Sequence, residues 1–206
     1  MKNRIMNILT ITMLFGSICA SNFALKSVEG EHKILTFTSQ ELELESREGY
    51  TRLISSTKGS TVGEGMPELP VFTSFFKMDT GVSYDVSYSV ISSHVLEDVQ
   101  IYPYQGEVVS DVDRPFIKNI DFYNSNTAYP ESKLTVSNPM IMRDIEVALI
   151  SLTPYDYNSV TKSLTIYDEV EINIVQSGLR EIEVDFPLRR SKLFEPFYRD
   201  LIVDYE

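Results

Sequence analysis

Apolar and polar residues alternate one by one along much of the chain. The clearest case is the apolar series Tyr84, Val86, Tyr88 and Val90, whose members are separated by Asp85, Ser87 and Ser89. A period of two places successive side chains on opposite faces of a β-strand. We therefore predict a strand here with one buried face and one solvated face.

The same alternation recurs in four other segments. They are marked by Leu42 and Leu44; by Ile145, Val147 and Leu149; by Val170, Ile172 and Ile174; and by Ile182, Val184 and Phe186. Residues typical of turns separate the segments, at 63–70, 102–106, 124–130, 138–139 and 156–159. Short strands at this spacing, rich in Val, Ile, Tyr and Thr, predict an all-β fold built as an antiparallel β-sandwich.

The strand pattern stops at about Pro187, and a basic cluster follows it. Beyond the cluster, one side of a short helix within 191–203 could be lined by Leu193, Phe194, Phe197 and Leu201. Pro196 weakens the helix prediction, because proline is tolerated only in the first turn of a helix. We expect a short C-terminal segment that is helical or irregular.

The N-terminus has the pattern of a signal peptide. Lys2 and Arg4 precede an uncharged run from Ile5 to Ile18, and the small residues Ala20 and Ser21 follow. The run is shorter than the roughly 20 residues that span a bilayer, which argues against a transmembrane anchor. We predict a signal peptide at 1–20, a β-sandwich at 21–187 and a separate terminal segment at 188–206. The protein should be secreted to the periplasm, the cell surface or the medium.

Composition and charge limit the classes of partner. Hydrophobic residues make up 43% of the 206 residues, which is typical of a packed globular protein. The formal net charge is −12, and residues 1–20 contribute two basic residues and no acidic ones. Such a charge repels phosphate backbones and anionic lipid surfaces. We therefore expect a monomer that binds no nucleic acid and has no stable membrane anchor.

The sequence offers little for catalysis. Cys19 is the only cysteine and falls within the predicted signal peptide, so the remaining chain has no thiol nucleophile. The only imidazoles belong to His32 and His94, which we interpret as solvated or structural. We expect no enzymatic activity.

Metal sites are similarly unsupported. Four Cys and His ligands for structural zinc are lacking. Asp111, Asp113 and Asp121 could ligate calcium, but they lack the glycine and terminal glutamate of a helical calcium loop. We expect no cofactor, with calcium as the alternative.

Two local motifs carry more information. The first is Gly65-Met66-Pro67-Glu68-Leu69-Pro70, and the second includes Pro154, Tyr157 and Asn158. The second motif predicts a hairpin in which Pro154 stops an alternating strand, Asn158 tolerates a left-handed backbone, and another alternating strand returns.

Together, in this order, the motifs resemble those of gingipain propeptides. The segment from Phe194 to Glu206 is similar to the family's junction with its peptidase domain. The resemblance implies a secreted pro-domain of a gingipain-type cysteine endopeptidase precursor, with 188–206 as the junction toward a missing peptidase domain. Such a pro-domain is a non-catalytic part of a zymogen that assists folding, keeps the enzyme latent, and has the catalytic domain as its partner.

Latency suggests a role for a basic side chain. In a peptidase that cleaves after Arg or Lys, an inserted arginine would block the specificity pocket. Arg114, beside Pro115, and Arg143, at the start of a predicted strand, are the two candidates for an inhibitory loop. The alternative for each is a solvated or salt-bridged structural arginine.

Two other functions remain open at this point. An extracellular β-sandwich can be a carbohydrate-binding or adhesion module, and the twelve tyrosines could stack on sugars, although the chain has no tryptophan. A standalone hydrolase would need a carboxylate pair in a cleft, and nothing in the spacing of the acids points to one.

Overall fold

The structure is a computed structural model that describes residues 22–55, 59–106, 115–181 and 192–205. Strands dominate these ranges, with two short helices and one 3₁₀ turn. The strands are β1 (Phe23–Glu29), β2 (His32–Thr38), β3 (Glu43–Arg47), β4 (Tyr50–Ile54), β5 (Gly59–Ser60), β6 (Pro70–Lys77), β7 (Val82–Leu96), β8 (Ala128–Tyr129), β9 (Leu134–Val136), β10 (Met140–Met142), β11 (Ile145–Leu152), β12 (Tyr155–Asn158) and β13 (Ser163–Leu179). The helices are α1 (Ile120–Tyr123) and α2 (Glu195–Leu201), and the 3₁₀ turn is Lys192–Phe194.

All the named strands pair antiparallel, in two main sheets and one hairpin. The larger sheet has the order β1-β2-β13-β12-β8, and β7 pairs with the opposite edge of the long strand β13. The second sheet has the order β10-β11-β6-β5, and β9 also pairs with β11. Strands β3 and β4 form a separate two-stranded hairpin.

The two main sheets enclose one hydrophobic core. The larger sheet contributes Leu35, Phe37, Val170, Ile172 and Ile174, and the second sheet contributes Phe72, Phe76, Ala148, Ile150 and Leu152. The rings of Phe37 and Phe72 meet across the sheets with their centroids 5.0 Å apart, in an edge-to-face arrangement. The predicted antiparallel β-sandwich is confirmed.

Alternation predicted the strands better than it predicted their burial. The β13 prediction is confirmed, since Val170, Ile172 and Ile174 are fully buried. In β3, however, Leu44 is 48% exposed, because its hairpin lies outside both main sheets. The strand predicted at Ile145 is confirmed, but its predicted inner face is the outer one: Ala148, Ile150 and Leu152 face the core. Ile145 and Val147 are buried on the outer face because the C-terminal segment covers them.

The C-terminal residues form a short helix, as predicted, but a different face packs. The 3₁₀ turn precedes α2, so Pro196 falls in the first turn of the helix, where proline is tolerated. Tyr198 and Ile202 are buried against Ile145 and Val147 of the second sheet. Three of the four residues predicted to line the packed face are exposed instead, namely Leu193, Phe197 and Leu201.

A buried carboxylate anchors the end of this segment. The Asp204 side chain is only 2% exposed, and its Oδ1 accepts a hydrogen bond of 2.7 Å from the Lys77 backbone N–H. Its Oδ2 lies 2.7 Å from Lys33 Nζ, which also donates to the Lys77 carbonyl at 2.8 Å. The backbone joins as well, because Val203 N–H donates to the Phe75 carbonyl. Residues 192–205 are therefore packed onto the sandwich by specific contacts.

The predicted hairpin around Pro154 is partly wrong. The strand before Pro154 is β11, which belongs to the second sheet, so Pro154 marks a crossing between sheets. The hairpin itself joins β12 to β13. Its left-handed residue is Lys162, with φ 53°. Asn158 instead stabilises the turn through its side chain, whose Oδ1 accepts from the N–H groups of Val160 and Thr161.

Several sequence predictions lie outside the described residues. They include the signal peptide at 1–20, the strand at Ile182, Val184 and Phe186, and the two aspartates Asp111 and Asp113 of the calcium alternative. Asp121 lies in the first turn of α1. Within the four described ranges, no three acidic, histidine or cysteine side chains are grouped closely enough to hold a metal ion. No helix in those ranges is long and apolar enough to cross a membrane.

Candidate functional site at the base of residues 107–114

The first family-like motif pairs with the chain segment that leads to residue 107. Glu68 N–H donates to the Tyr102 carbonyl, and Tyr104 N–H donates to the Met66 carbonyl, both at 2.8 Å. Pro67 and Pro103 face each other between these bonds. This is a non-hydrogen-bonded position of an antiparallel pair, so neither proline needs an N–H. Both prolines therefore occupy a position of this short ladder at which no backbone hydrogen bond is required.

Gly65 contacts both arms of the segment around 107–114. Its N–H donates to the Tyr104 carbonyl on the outgoing arm, and its carbonyl accepts from Asn119 N–H on the returning arm. Its φ is 71°, and a Cβ at this position would lie 2.7 Å from the Asn119 nitrogen. Both the left-handed backbone and the close approach favour glycine here.

The remaining residues of this motif fix it to the sandwich. Leu69 is fully buried in the core, and Pro70 begins β6. Thr61 Oγ1 accepts from Leu69 N–H at 3.0 Å and donates to the Pro67 carbonyl at 2.7 Å. The first motif thus connects the core of the second sheet to the base of residues 107–114.

Gln105 joins the two arms directly through its side-chain amide. Its Nε2 donates to the carbonyls of Pro103 and Ile117, and its Oε1 accepts from Ile117 N–H, each at 2.8 Å. The amide therefore bonds Ile117 in the way that a facing backbone peptide would. The Gln105 side chain therefore joins the chain before residue 106 to the chain after residue 116.

Aromatic rings cover the same base. Phe116 packs against Tyr50 and Tyr102, with centroid distances of 5.6 and 5.9 Å. Lys118 Nζ lies 4.6 Å from the centroid of the Tyr123 ring, close enough for a cation–π contact. The returning arm is held by ring packing as well as by hydrogen bonds.

The second family-like motif reaches the same segment from the larger sheet. The fully buried Tyr157 accepts a hydrogen bond of 3.3 Å from Ile101 N–H at its hydroxyl. The Tyr123 hydroxyl donates to the Ile101 carbonyl at 2.7 Å. Burial raises the pKa of both tyrosines, so both hydroxyls stay protonated well above neutral pH. The two motifs thus meet at residues 101–104.

The two candidate arginines lie in different settings. Arg114 lies outside the described residues, in the segment whose ends Gln105 closes. Arg143 occupies the two-residue turn between β10 and β11, with φ 61°. Its guanidinium stacks on Phe194, 3.5 Å from the ring centroid. The contact of Arg143 with the C-terminal segment favours a structural role.

The histidines do not form a nucleophile–base pair in the described part of the chain. His94 Nδ1 lies 2.8 Å from an Asp168 carboxylate oxygen, and Ser39 lines the same surface depression. The Ser39 hydroxyl donates to the Gln40 carbonyl, however, and not to the imidazole. His32 bonds Asn173 at 3.1 Å. Both contacts are consistent with structural histidines.

Sequence reasoning found the motifs but missed Gln105. A single glutamine between Tyr104 and Gly106 carries no recognisable signal, because its role depends on the return of Ile117 to the same place. The meeting of the two motifs was equally hidden, since 80 or more residues separate them in the sequence.

We expect Gln105→Ala to loosen this base. The change removes three hydrogen bonds at partly buried positions, which should lower the free energy of unfolding by about 1 to 3 kcal/mol. Limited proteolysis should also cut faster within 106–116. Urea denaturation and mass analysis of the fragments would measure both effects.

Gln100→Ala is the matched control, because Gln100 lies five residues upstream and no side-chain hydrogen bond of it is seen in the described ranges. If the two variants unfold and are cut alike, Gln105 does not close the segment.

Comparison with known proteins identifies related sequences and structures. The family model Propeptide_C25 matches residues 22–206. Among curated proteins, gingipain R1 of Porphyromonas gingivalis is 27% identical over 170 residues, which cover 80% of this chain and 17% of that protein. Gingipain R2 of P. gingivalis strain W83 is 26% identical over 226 residues, covering 99% of this chain and 30% of that protein. The chain therefore spans less than a third of the length of these relatives.

Two solved structures share the fold. One is the complex of the pro- and mature domains of P. gingivalis RgpB, with a TM-score of 0.67 and 23% identity, covering 90% of this chain and 98% of that chain. The other concerns the zymogenic latency of P. gingivalis gingipain K, with a TM-score of 0.63 and 18% identity, covering 77% and 94%. These likenesses establish the same architecture.

Proposed function

The chain belongs to the Propeptide_C25 family, that of the gingipain propeptides, and from this premise we propose that it binds a gingipain-type catalytic domain, assists its folding and keeps it latent. A propeptide with this fold is a non-catalytic pro-domain. The observation that carries the proposal is the meeting of both family-like motifs at the base of residues 107–114.

That base is suited to an inhibitor. A segment that must enter an active-site cleft loses less conformational entropy on binding when its ends are already fixed. Here the ends are fixed by the Gln105 side chain, by the backbone ladder of the first motif and by the rings around Phe116. We propose that Arg114, within this segment, enters the specificity pocket of a peptidase that cleaves after basic residues.

Arg143 is the other candidate for the same role. Its stacking on Phe194 supports a structural role instead, because insertion into a pocket would have to break that contact. We therefore rank Arg114 first.

The carbohydrate-binding alternative is not favoured. Sugar stacking needs exposed aromatic faces. Five of the twelve tyrosines are buried in the interior: Tyr102, Tyr123, Tyr155, Tyr157 and Tyr198. Packing within the domain accounts for these rings without a sugar ligand.

Export through a signal peptide at residues 1–20 is part of the proposal. It rests on Lys2, Arg4 and the uncharged run that follows them. We expect the exported protein to begin between Ala20 and Leu25, which its intact mass would show. Retention of residues 1–20 in a membrane fraction would contradict this assignment.

The proposed function is tested by adding the chain without residues 1–20 to a gingipain-type catalytic domain from the same source. The two should form a complex that survives gel filtration, and cleavage of a peptide substrate should slow. If the chain shows no binding to the catalytic domain but retains polysaccharide, it is an extracellular binding module instead.

A further inference from the structure

Most sheet edges in the described residues are short or charged. The edge strands β5 and β8 have two residues each, and β9 and β10 have three. The longer edge strand β1 carries Lys26 and Glu29 and is interrupted by an irregularity between Leu25 and Ser27. Short strands, charges and bulges are the devices by which proteins keep sheet edges from pairing with other chains.

Strand β7 largely lacks these devices. It has fifteen residues and pairs with β13 along one edge, while its other edge has no strand partner within the described ranges. Its only Asp, Glu, Lys or Arg residue is Asp85, although such residues make up 23% of the whole chain, and it contains no proline. An irregularity near Ile91 leaves residues 84–90 as a regular edge.

The inner face of β7 is also incompletely covered. Tyr88 pairs with Ile172 and Val90 pairs with Val170, so each of these pairs shares the core face of the sheet. Ile172 and Val170 are fully buried, whereas Tyr88 is 36% exposed and Val90 is 38% exposed. The apolar face of the larger sheet thus continues past the second sheet that covers it.

We propose that β7 binds an extended segment of the gingipain-type catalytic domain as an added strand. The backbone of that segment would pair with the edge of residues 84–90 that faces away from β13, and its alternate apolar side chains would cover Tyr88 and Val90. Strand addition of this kind obtains affinity from main-chain hydrogen bonds and specificity from alternate side chains. This proposal rests on the proposed function and assigns it a second contact surface.

Two features favour the catalytic domain over a second copy of the chain. Each copy carries a net charge of −12, so two copies repel each other. Strand β7 also leads through residues 97–105 directly to the base of residues 107–114. Val99 N–H bonds the Lys162 carbonyl at 2.9 Å, which ties this connection to the β12–β13 turn. A partner that engages residues 107–114 is therefore close to the Leu96 end of β7.

The Val90→Lys variant tests the proposal. A lysine on the inner face of an edge strand opposes strand addition. We expect binding to the catalytic domain to weaken by about tenfold or more, while circular dichroism shows that the variant remains folded. The matched control is Val28→Lys, since Val28 is 53% exposed on β1, the edge strand at the other side of the same sheet. The control should bind as the wild type does.

Hydrogen exchange of the unmodified chain gives a second measurement that needs no variant. Alternate amides of residues 84–90 should exchange rapidly in the free chain and become protected in the complex. Unchanged protection, or equal binding by Val90→Lys and wild type, overturns the proposal while the proposed function stands. Protection of these amides in the free chain would also overturn the proposal. So would a homodimer of the chain that the Val90→Lys substitution dissociates. If the wild type fails to bind at all, the proposed function itself is wrong.

Discussion

Replacing Arg114 with alanine should reduce inhibition of the catalytic domain by tens of fold or more. An arginine in a specificity pocket is paired with an acidic side chain, and its removal leaves that charge buried and unpaired. The expected cost is about 2 to 5 kcal/mol of binding free energy. The inhibition constant of the Arg114→Ala chain, measured in trans beside the wild type, gives this value directly.

Arg143→Ala is the comparison for that measurement. Because Arg143 stacks on Phe194, its loss should lower the stability of the C-terminal segment and leave inhibition nearly unchanged. A large loss of inhibition with Arg143→Ala, in a chain that remains folded, would show that Arg143 is the inserted residue. Equal inhibition by wild type and Arg114→Ala would exclude Arg114.

Replacing Asp204 with alanine should strongly destabilise the fold. The carboxylate is 2% exposed, and its loss leaves the Lys33 ammonium, itself 15% exposed, without its counter-ion and the Lys77 N–H without its acceptor. Breaking one side of a buried ion pair costs about 3 to 5 kcal/mol. The free energy of unfolding in urea, with circular dichroism as the signal, would measure the loss.

Asp200→Ala separates this effect from a general loss of negative charge. Asp200 is exposed on α2, four residues before Asp204. Its replacement should change the free energy of unfolding by less than about 0.5 kcal/mol. Similar losses in the two variants would mean that Asp204 does not anchor the C-terminal segment.

The architecture could be predicted because period-two alternation reports the pleat of a strand directly. Val170, Ile172 and Ile174 of β13 show this, since each faces the core as expected. Burial was less predictable, because it depends on what covers each face. Leu44 alternates like the others but lies on a separate hairpin, and β11 gains a second buried face from Tyr198 and Ile202.

The candidate site was predictable only as two separate motifs. Gly65 and Tyr157 belong to different motifs, and their meeting around residues 101–104 depends on the packing of both sheets. Pro154 could not be recognised as a crossing between sheets, because a proline after a strand looks the same when the chain turns back within one sheet. Gln105 is informative only once Ile117 is placed beside it.

The mode of inhibition distinguishes occupation of the specificity pocket from binding elsewhere on the catalytic domain. Peptide cleavage by a gingipain-type catalytic domain should be measured at several substrate concentrations, with and without the wild-type chain. A pro-domain whose 107–114 segment occupies the specificity pocket should compete with substrate, so its apparent inhibition constant at equilibrium should rise in proportion to 1 + [S]/KM. An inhibition constant that is independent of substrate concentration, or no inhibition at all, would show that the segment does not occupy the pocket.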